Sequence, residues 1–190
     1  RTFCSSKKIS QILSKNPEMI KTSFDAFEKK YITVAGDGKR GHEFETMTTK
    51  LFEDMGFPST PQKKIKLSHN KGYLDNYFVF NNTAGFSDCK AHKQFDCDNK
   101  DVSVMVNDYI KKAQDLENEL VFFGYVYGRK FSNTDNFDRI IQESGVSGFR
   151  ISAVNFLILV KLVKQGKISR DEVWELFQCN DEIDLAKENF

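Results

Sequence analysis

Residues 72–91 read Gly-Tyr-Leu-Asp-Asn-Tyr-Phe-Val-Phe-Asn-Asn-Thr-Ala-Gly-Phe-Ser-Asp-Cys-Lys-Ala. Aromatic and β-branched residues dominate positions 73–80, which favours a strand. The Asn-Asn-Thr-Ala-Gly segment at 81–85 has the composition of a turn. Positions 86–91 then return as a second strand-like run. The stretch therefore predicts an antiparallel hairpin.

The predicted hairpin carries two carboxylates and a lysine. Side chains alternate faces along a strand, so Asp88 and Lys90 point the same way and Cys89 points oppositely. Asp75 lies in the partner strand, and pairing would bring it alongside. Mg²⁺ needs few protein oxygens, so Asp75 and Asp88 with the backbone carbonyl of Cys89 suffice as ligands, and Mn²⁺ is a possible substitute. Lys90 would orient or help deprotonate an attacking water and offset charge on phosphorus.

A triplet of the form Asp-x-Lys is weak evidence by itself, because such triplets are common as surface charge. A solvated strand end is therefore an open alternative to a metal site. The position of the triplet, in a hairpin whose partner strand carries Asp75, favours the metal site.

Outside the hairpin, apolar periodicity predicts the remaining elements. Short strands are expected at 64–67 and 146–151, and a buried strand at 120–127. A polar loop is expected at 92–100. Helices are expected within 9–31 and at 42–55, 102–114, 134–143, 152–164 and 169–177. Alternating strands and helices predict an α/β fold with a mixed central sheet flanked by helices. We expect a helical leader or linker at 1–40 and one catalytic domain at 41–190.

Glu45 is a further candidate. It falls near the edge of the apolar stripe of the helix at 42–55, whereas Glu43 groups with the polar face. A carboxylate at that edge could reach a metal or an active-site water. A local cap or salt bridge is the equally open alternative.

Composition narrows the class of protein. The 190 residues carry a net charge of +1, and 39% of them are hydrophobic. No apolar run approaches the roughly 20 residues of a membrane helix. Basic residues exceed acidic ones in the first half, and a basic cluster just before Asp75 could contact phosphates: Lys63, Lys64, Lys66, His69 and Lys71. A solvated loop is the alternative. Four cysteines without a secretion signal favour reduced thiols in a cytosol.

A rival metal site would use Cys89, His92 and Cys97 as zinc ligands, with His69 or Cys179 as the fourth. The cysteines lack paired short spacings, which argues against it. The sequence contains no Gly-x-Ser-x-Gly elbow, Walker loop or Rossmann glycine signature.

The motifs together resemble the PD-(D/E)xK nucleases and, more closely, the cleavage domain of FokI-type, type IIS restriction endonucleases. Asp75 stands where the family has its first catalytic aspartate, and Asp88-Cys89-Lys90-Ala91 looks like its Asp-x-Lys-Ala. The helix from Gly41 through Gly56-Phe57 is similar to the helix of related nucleases whose glutamate assists the site, which favours Glu45 over Glu43. The tail at 162–173, with the terminal Asn189-Phe190, resembles the C-terminal helices of that domain.

The resemblance implies a Mg²⁺-dependent endonuclease of the bacterial cytoplasm that acts on double-stranded DNA. A recognition domain or large subunit would choose the target. One site cuts one strand, so double-strand cleavage would need a transient dimer or a partner. The chain departs from the family in having Leu74 for the usual proline. It also has Val104 and Asp108 where the family's dimerisation helix carries an Asp and an Arg, which puts that ion pair in doubt. The alternative function is a non-catalytic nucleic-acid-binding or oligomerisation module.

Overall fold

The structure, a computed structural model, describes residue 11 and residues 24–59 and 73–185. Within these residues, the main sheet has the strand order β1-β2-β4-β6-β7. Its strands are β1 (Asn76–Phe80), β2 (Thr83–Lys90), β4 (Glu119–Tyr127), β6 (Ser147–Ser152) and β7 (Asp181–Glu182). Strands β1 and β2 form the predicted antiparallel hairpin, and every later neighbour pairs in parallel. The sheet is therefore mixed, as predicted.

Helices cover both faces of this sheet. One face packs under α1 (Ala26–Ala35), α2 (Gly41–Asp54), α6 (Ala153–Lys164) and α7 (Arg170–Leu176). The other face packs under α5 (Thr134–Ser144) and a composite helix, which consists of α3 (Asn99–Val104), a π-helical segment (Met105–Ile110) and α4 (Lys111–Gln114). Two apolar cores result, one on each side of the sheet. This layering is the predicted α/β architecture.

Local sequence explains where the helices begin. Ser169 and Glu172 form a capping box at the start of α7, and Asp25 and Glu28 form another at α1. Ser152 caps α6 by accepting a hydrogen bond from the backbone N–H of Asn155. The side chains of α6 are buried on nearly all sides, which explains its almost uninterrupted apolar sequence.

The structure corrects three predictions. The segment at 92–100 is not all loop, because it contains β3 (Gln94–Asp96), which pairs in parallel with β5 (Lys130–Ser132) in a separate small sheet. Asp75 lies at a bend just before β1 rather than inside the strand. The helix expected at 102–114 begins three residues earlier and contains the π-helical segment. Strands of two or three residues are too short to give a periodic signal.

Other predictions fall on residues outside the described ranges, namely the strand at 64–67, the basic cluster at 63–71 and most of the helical region before residue 24.

Helix α1 lies within the predicted leader at 1–40, and its buried side chains belong to the same apolar core as residues of the predicted catalytic domain. Its Tyr31 ring lies 5.1 Å from that of Phe44, and its hydroxyl lies 3.0 Å from Oγ1 of Thr48. The division at residue 40 stays a prediction. In the described part of the chain, no helix is long and apolar enough to cross a bilayer.

Candidate active site

The register of the hairpin sets Asp75 beside Asp88. Asn76 pairs with Ser87, so the residues just outside this pair are Asp75 and Asp88. The backbone N–H of Cys89 donates a 2.8 Å hydrogen bond to Oδ2 of Asp75. The bend that takes Asp75 out of the strand is therefore tied back to β2, and both carboxylates lie at the same end of the hairpin.

Lys90 lies on the same face of β2 as Asp88, as alternation predicts. Its Nζ is 2.9 Å from Oδ2 of Asp88 and 3.9 Å from Oδ1 of Asp101 on α3. The ammonium also lies 5.3 Å from the centroid of the Phe95 ring. Asp88 and Lys90 are both largely buried, so this ion pair is held at the sheet surface rather than in bulk water.

The carboxylates of Asp88 and Glu45 both act on the charge of Asp75. Burial raises the pKa of Asp75 well above its ordinary value, and repulsion from Asp88 and then Glu45 raises it further. The hydrogen bond from the N–H of Cys89 opposes this rise. Like charges brought together in a half-buried site leave a local excess of negative charge, which a cation would relieve.

Lys90 responds to the same charges in the opposite direction. Burial alone lowers the pKa of its ammonium, but the attraction of Asp88, their hydrogen bond and the charge of Asp101 raise it above its ordinary value. Lys90 is therefore a cation at neutral pH. In this arrangement the ammonium can offset negative charge.

Glu45 reaches the site from helix α2. A hydrogen bond of 2.7 Å from Oγ1 of Thr49 to Oδ1 of Asn76 ties this helix to β1, directly beside Asp75. Glu45 is partly buried and lies 3.4 Å from Nδ1 of His42. Glu43 instead pairs with Lys30 and Arg40, away from the hairpin. Glu45 is among the groups that raise the pKa of Asp75. The preference for Glu45 over Glu43 stays a prediction.

A family model described as the FokI cleavage domain matches residues 5–184. The chain belongs to the FokI cleavage-domain family. Its fold also matches the solved structure of restriction endonuclease FokI, with a TM-score of 0.67 and 18% sequence identity. The structure of FokI bound to DNA matches with a TM-score of 0.65, also at 18% identity. No curated protein sequence matches at a significant level.

These matches cover 94% of this chain but only 34% and 33% of the two FokI chains. The chain thus spans about a third of the length of FokI. At this identity the structural likeness shows the fold, whereas the family model shows membership of the FokI cleavage-domain family. The roles of Asp75, Asp88, Lys90 and Glu45 stay predictions.

The zinc interpretation is wrong for this FokI-family chain. Cys89 is buried in the core under α2 and Cys97 in the core on the opposite side of the sheet. The Cys89 thiol accepts a 3.5 Å contact from Nδ2 of Asn76 and faces away from Asp88. The two thiols therefore cannot point at one metal ion from these positions. Among the described residues, no three His, Cys, Asp or Glu side chains form a metal-binding group.

The residues present do fit Mg²⁺. Mg²⁺ binds one or two carboxylates and keeps waters and substrate oxygens in its other positions, so it needs no cage of three side chains. Asp75 and Asp88 supply two carboxylates that repel each other, and a bound cation would reduce this repulsion. The backbone carbonyl of Cys89 stays a predicted further ligand.

Sequence reasoning missed two residues near this site. Asp101 lies beside Lys90, and the spacing Asp98-x-x-Asp101 of a capping box was the signal that could have placed it at a helix start. Tyr109 belongs to the π-helical segment, and its pKa is raised by burial and then by Asp88. No sequence pattern marks a π-helical segment, although such segments are frequent at functional sites.

Proposed function

We propose that this chain is the cleavage domain of a Mg²⁺-dependent DNA endonuclease of the type IIS restriction class. The observation that carries the proposal is the convergence of Asp75, Asp88 and Lys90 at one end of the hairpin, with Glu45 approaching from α2. Membership of the FokI cleavage-domain family supports it. Double-stranded DNA is the proposed substrate.

The two aspartates are the proposed metal ligands, and the carbonyl oxygen of Cys89 is the third. When bound, Mg²⁺ would polarise the scissile phosphate and lower the pKa of a water molecule. The chain's own part is to hold Asp75 and Asp88 together against their repulsion, which the hydrogen bond from the N–H of Cys89 helps to do. Mn²⁺, with similar oxygen preferences, is the expected substitute.

Lys90 is the proposed catalytic cation. Its role would be to hold the attacking water by donating a hydrogen bond and to offset charge on the pentacovalent phosphorus. Glu45 would accept a hydrogen bond from a water in the same site. A part for Lys90 in deprotonating the attacking water stays an alternative prediction.

The target would be chosen by a recognition domain or large subunit of the parent protein, since the chain spans only about a third of FokI. One set of Asp75, Asp88 and Lys90 would hydrolyse one phosphodiester bond at a time. Cleavage of both strands therefore needs a transient dimer or a second subunit, and a single copy would nick. A location in the bacterial cytoplasm stays a prediction.

The test is cleavage of supercoiled plasmid by the full-length protein in Mg²⁺. Asp88→Asn, Lys90→Ala and Glu45→Gln are compared with Glu43→Gln, which removes a carboxylate from the same helix but away from the site. Only the first three should lose cutting. Undiminished cutting by Asp88→Asn and Lys90→Ala would overturn the proposal. Salt-sensitive DNA binding without cutting in any divalent metal would favour a non-catalytic binding module.

A further inference from the structure

The ammonium of Lys90 lies close to four side chains from different parts of the fold. Asp88 lies 2.9 Å from its Nζ, and Asp101 approaches from a different element, α3, at 3.9 Å. The rings of Phe95 and Tyr125 lie 5.3 and 6.0 Å from the same ammonium. Lys90 therefore lies between two carboxylates and two aromatic rings.

Asp101 is fixed in place by the start of α3. Its Oδ2 accepts a 3.1 Å hydrogen bond from the backbone N–H of Asp98, and its own N–H donates to Oδ1 of Asp98 at 2.9 Å. These are the two bonds of a capping box. The other oxygen, Oδ1, is the one that faces Lys90. One carboxylate thus fixes the helix start with one atom and faces the lysine with the other.

Phe95 comes from β3, the short strand that the sequence did not predict. Its pairing with β5 sets the Phe95 ring 5.3 Å from both the Tyr125 and the Phe131 rings. A cation near an aromatic face is attracted to it, but a ring does not fix the direction of the N–H bonds. Asp88, at 2.9 Å, is within hydrogen-bond distance of the ammonium, whereas Asp101, at 3.9 Å, attracts it by charge.

We propose that Asp101 is a positioning residue for Lys90, holding its ammonium at the site while Asp88 is engaged with the metal. The proposal rests on the proposed function, because it takes Asp88 to be a metal ligand. A dication bound by Asp88 withdraws charge from that carboxylate and weakens its attraction for Lys90. The lysine stem is long and flexible, so a cation with one weakened partner would sample other rotamers. Asp101 binds no metal in this arrangement and keeps its full charge.

The experiment compares Asp101→Asn with Asp98→Asn in the full-length protein. Asn at 101 keeps an oxygen for the cap but removes the charge. Asn at 98 removes a charge from the same helix start and remains a good cap, and Asp98 is not paired with Lys90. The first readout is the ¹⁵Nζ signal of Lys90 with saturating Mg²⁺ and no DNA, assigned by its absence in Lys90→Gln. Asp101→Asn should shift it and make it mobile, whereas Asp98→Asn should leave it unchanged.

The second readout is the single-turnover cleavage rate, beside DNA affinity measured in Ca²⁺. Misplacing a reacting group by about 1 Å costs roughly 100-fold, so Asp101→Asn should cut about 10- to 100-fold more slowly with unchanged affinity for DNA. Asp101→Glu, which restores charge and suits a capping box, should recover part of the rate. If Asp101→Asn melts early, Asp101→Glu still tests the proposal through its Lys90 signal, which should stay ordered.

An unchanged, ordered Lys90 signal in Asp101→Asn would overturn the positioning role, whatever the cleavage rates are. Equal loss of rate in Asp98→Asn and Asp101→Asn would also overturn it, since that pattern follows from damage to the helix start. If the wild-type protein cuts no DNA, the proposed function fails, and the Lys90 signal still decides whether Asp101 holds this lysine.

Discussion

Oγ1 of Thr49 donates a 2.7 Å hydrogen bond to Oδ1 of Asn76. This bond joins helix α2, which carries Glu45, to strand β1, which begins directly after Asp75. Asn76 is fully buried, and Thr49 is 27 residues away in sequence. The single proton of this hydroxyl is shared with the backbone oxygen of Glu45, which lies 3.0 Å away. One side chain thus connects both parts of the candidate site.

Thr49→Val should destabilise the protein and slow cleavage. Valine has nearly the same shape but leaves Oδ1 of Asn76 buried without this donor, which costs about 1–3 kcal/mol. Urea unfolding measures the stability, and plasmid nicking measures the rate. Thr46→Val is the matched control, because Thr46 also bonds the backbone oxygen four residues earlier but is exposed. It should change stability by less than about 0.5 kcal/mol. Equal effects of the two variants would contradict this role of the Thr49 bond.

Asp75→Asn should stabilise the metal-free protein at pH 8. Burial, Asp88 and Glu45 raise the folded-state pKa of Asp75, so folding favours its protonated form. This contribution to stability is present below the unfolded pKa of about 3.9 and is lost as pH rises through the folded pKa. Asparagine lacks the charge and avoids that loss. Thermal melts in EDTA should show a larger gain for the variant at pH 8 than at pH 4.

Mg²⁺ supplies the control for this prediction. Ligand binding to the folded state stabilises it by about 2.7 kcal/mol at a hundred times the dissociation constant. Mg²⁺ should therefore raise the Tm of the wild-type protein and have little effect on Asp75→Asn. A variant that loses stability at pH 8 in EDTA would contradict the repulsion between these carboxylates.

Lys90→Ala should bind Mg²⁺ more tightly than the wild-type protein while losing cleavage. The ammonium 2.9 Å from Oδ2 of Asp88 competes with a metal for that carboxylate, and alanine removes the competitor. Loss of a group that stabilises developing charge typically costs about 100- to 1000-fold in rate. Calorimetric titration with Mg²⁺ measures the affinity, and single-turnover cleavage measures the rate. Weaker metal binding by the variant would mean that Lys90 supports the metal site rather than competing for it.

Gly85→Ala should destabilise the fold at the strand that carries Asp88. Strand β2 shifts register against β4 between Ala84 and Gly85, and a Cβ at Gly85 would lie 2.1 Å from the ring of Phe122. Overpacking of this kind costs about 1–3 kcal/mol or more. Gly41→Ala is the control, because no atom outside its chain neighbours and its own helical turn lies within 4 Å of its Cβ position, and Gly41 is the first residue of helix α2. Urea unfolding should show that Gly41→Ala is neutral or stabilising.

Much of this site was predictable because its residues are close in sequence. The turn residues, the alternation of strand faces and the two-residue spacing of Asp88 and Lys90 are local properties. Their prediction of a shared face is confirmed by the ion pair. The helical periodicity of residues 42–55 likewise distinguished Glu45 from Glu43. The bend at Asp75 was missed, because it depends on a hydrogen bond from Cys89 across the hairpin.

Local sequence patterns predict the hairpin, the order of the long helices and strands, and the face shared by Asp88 and Lys90, because periodicity and turn chemistry act over a few residues. The residues that surround Lys90 depend instead on tertiary packing. Asp101 reaches it only because α3 begins at Asp98, and Phe95 only because β3 pairs with β5, more than 30 residues away. Tertiary packing also placed Cys89 and Cys97 on opposite sides of the sheet. Contacts across elements depend on how the layers pack, which local patterns do not specify.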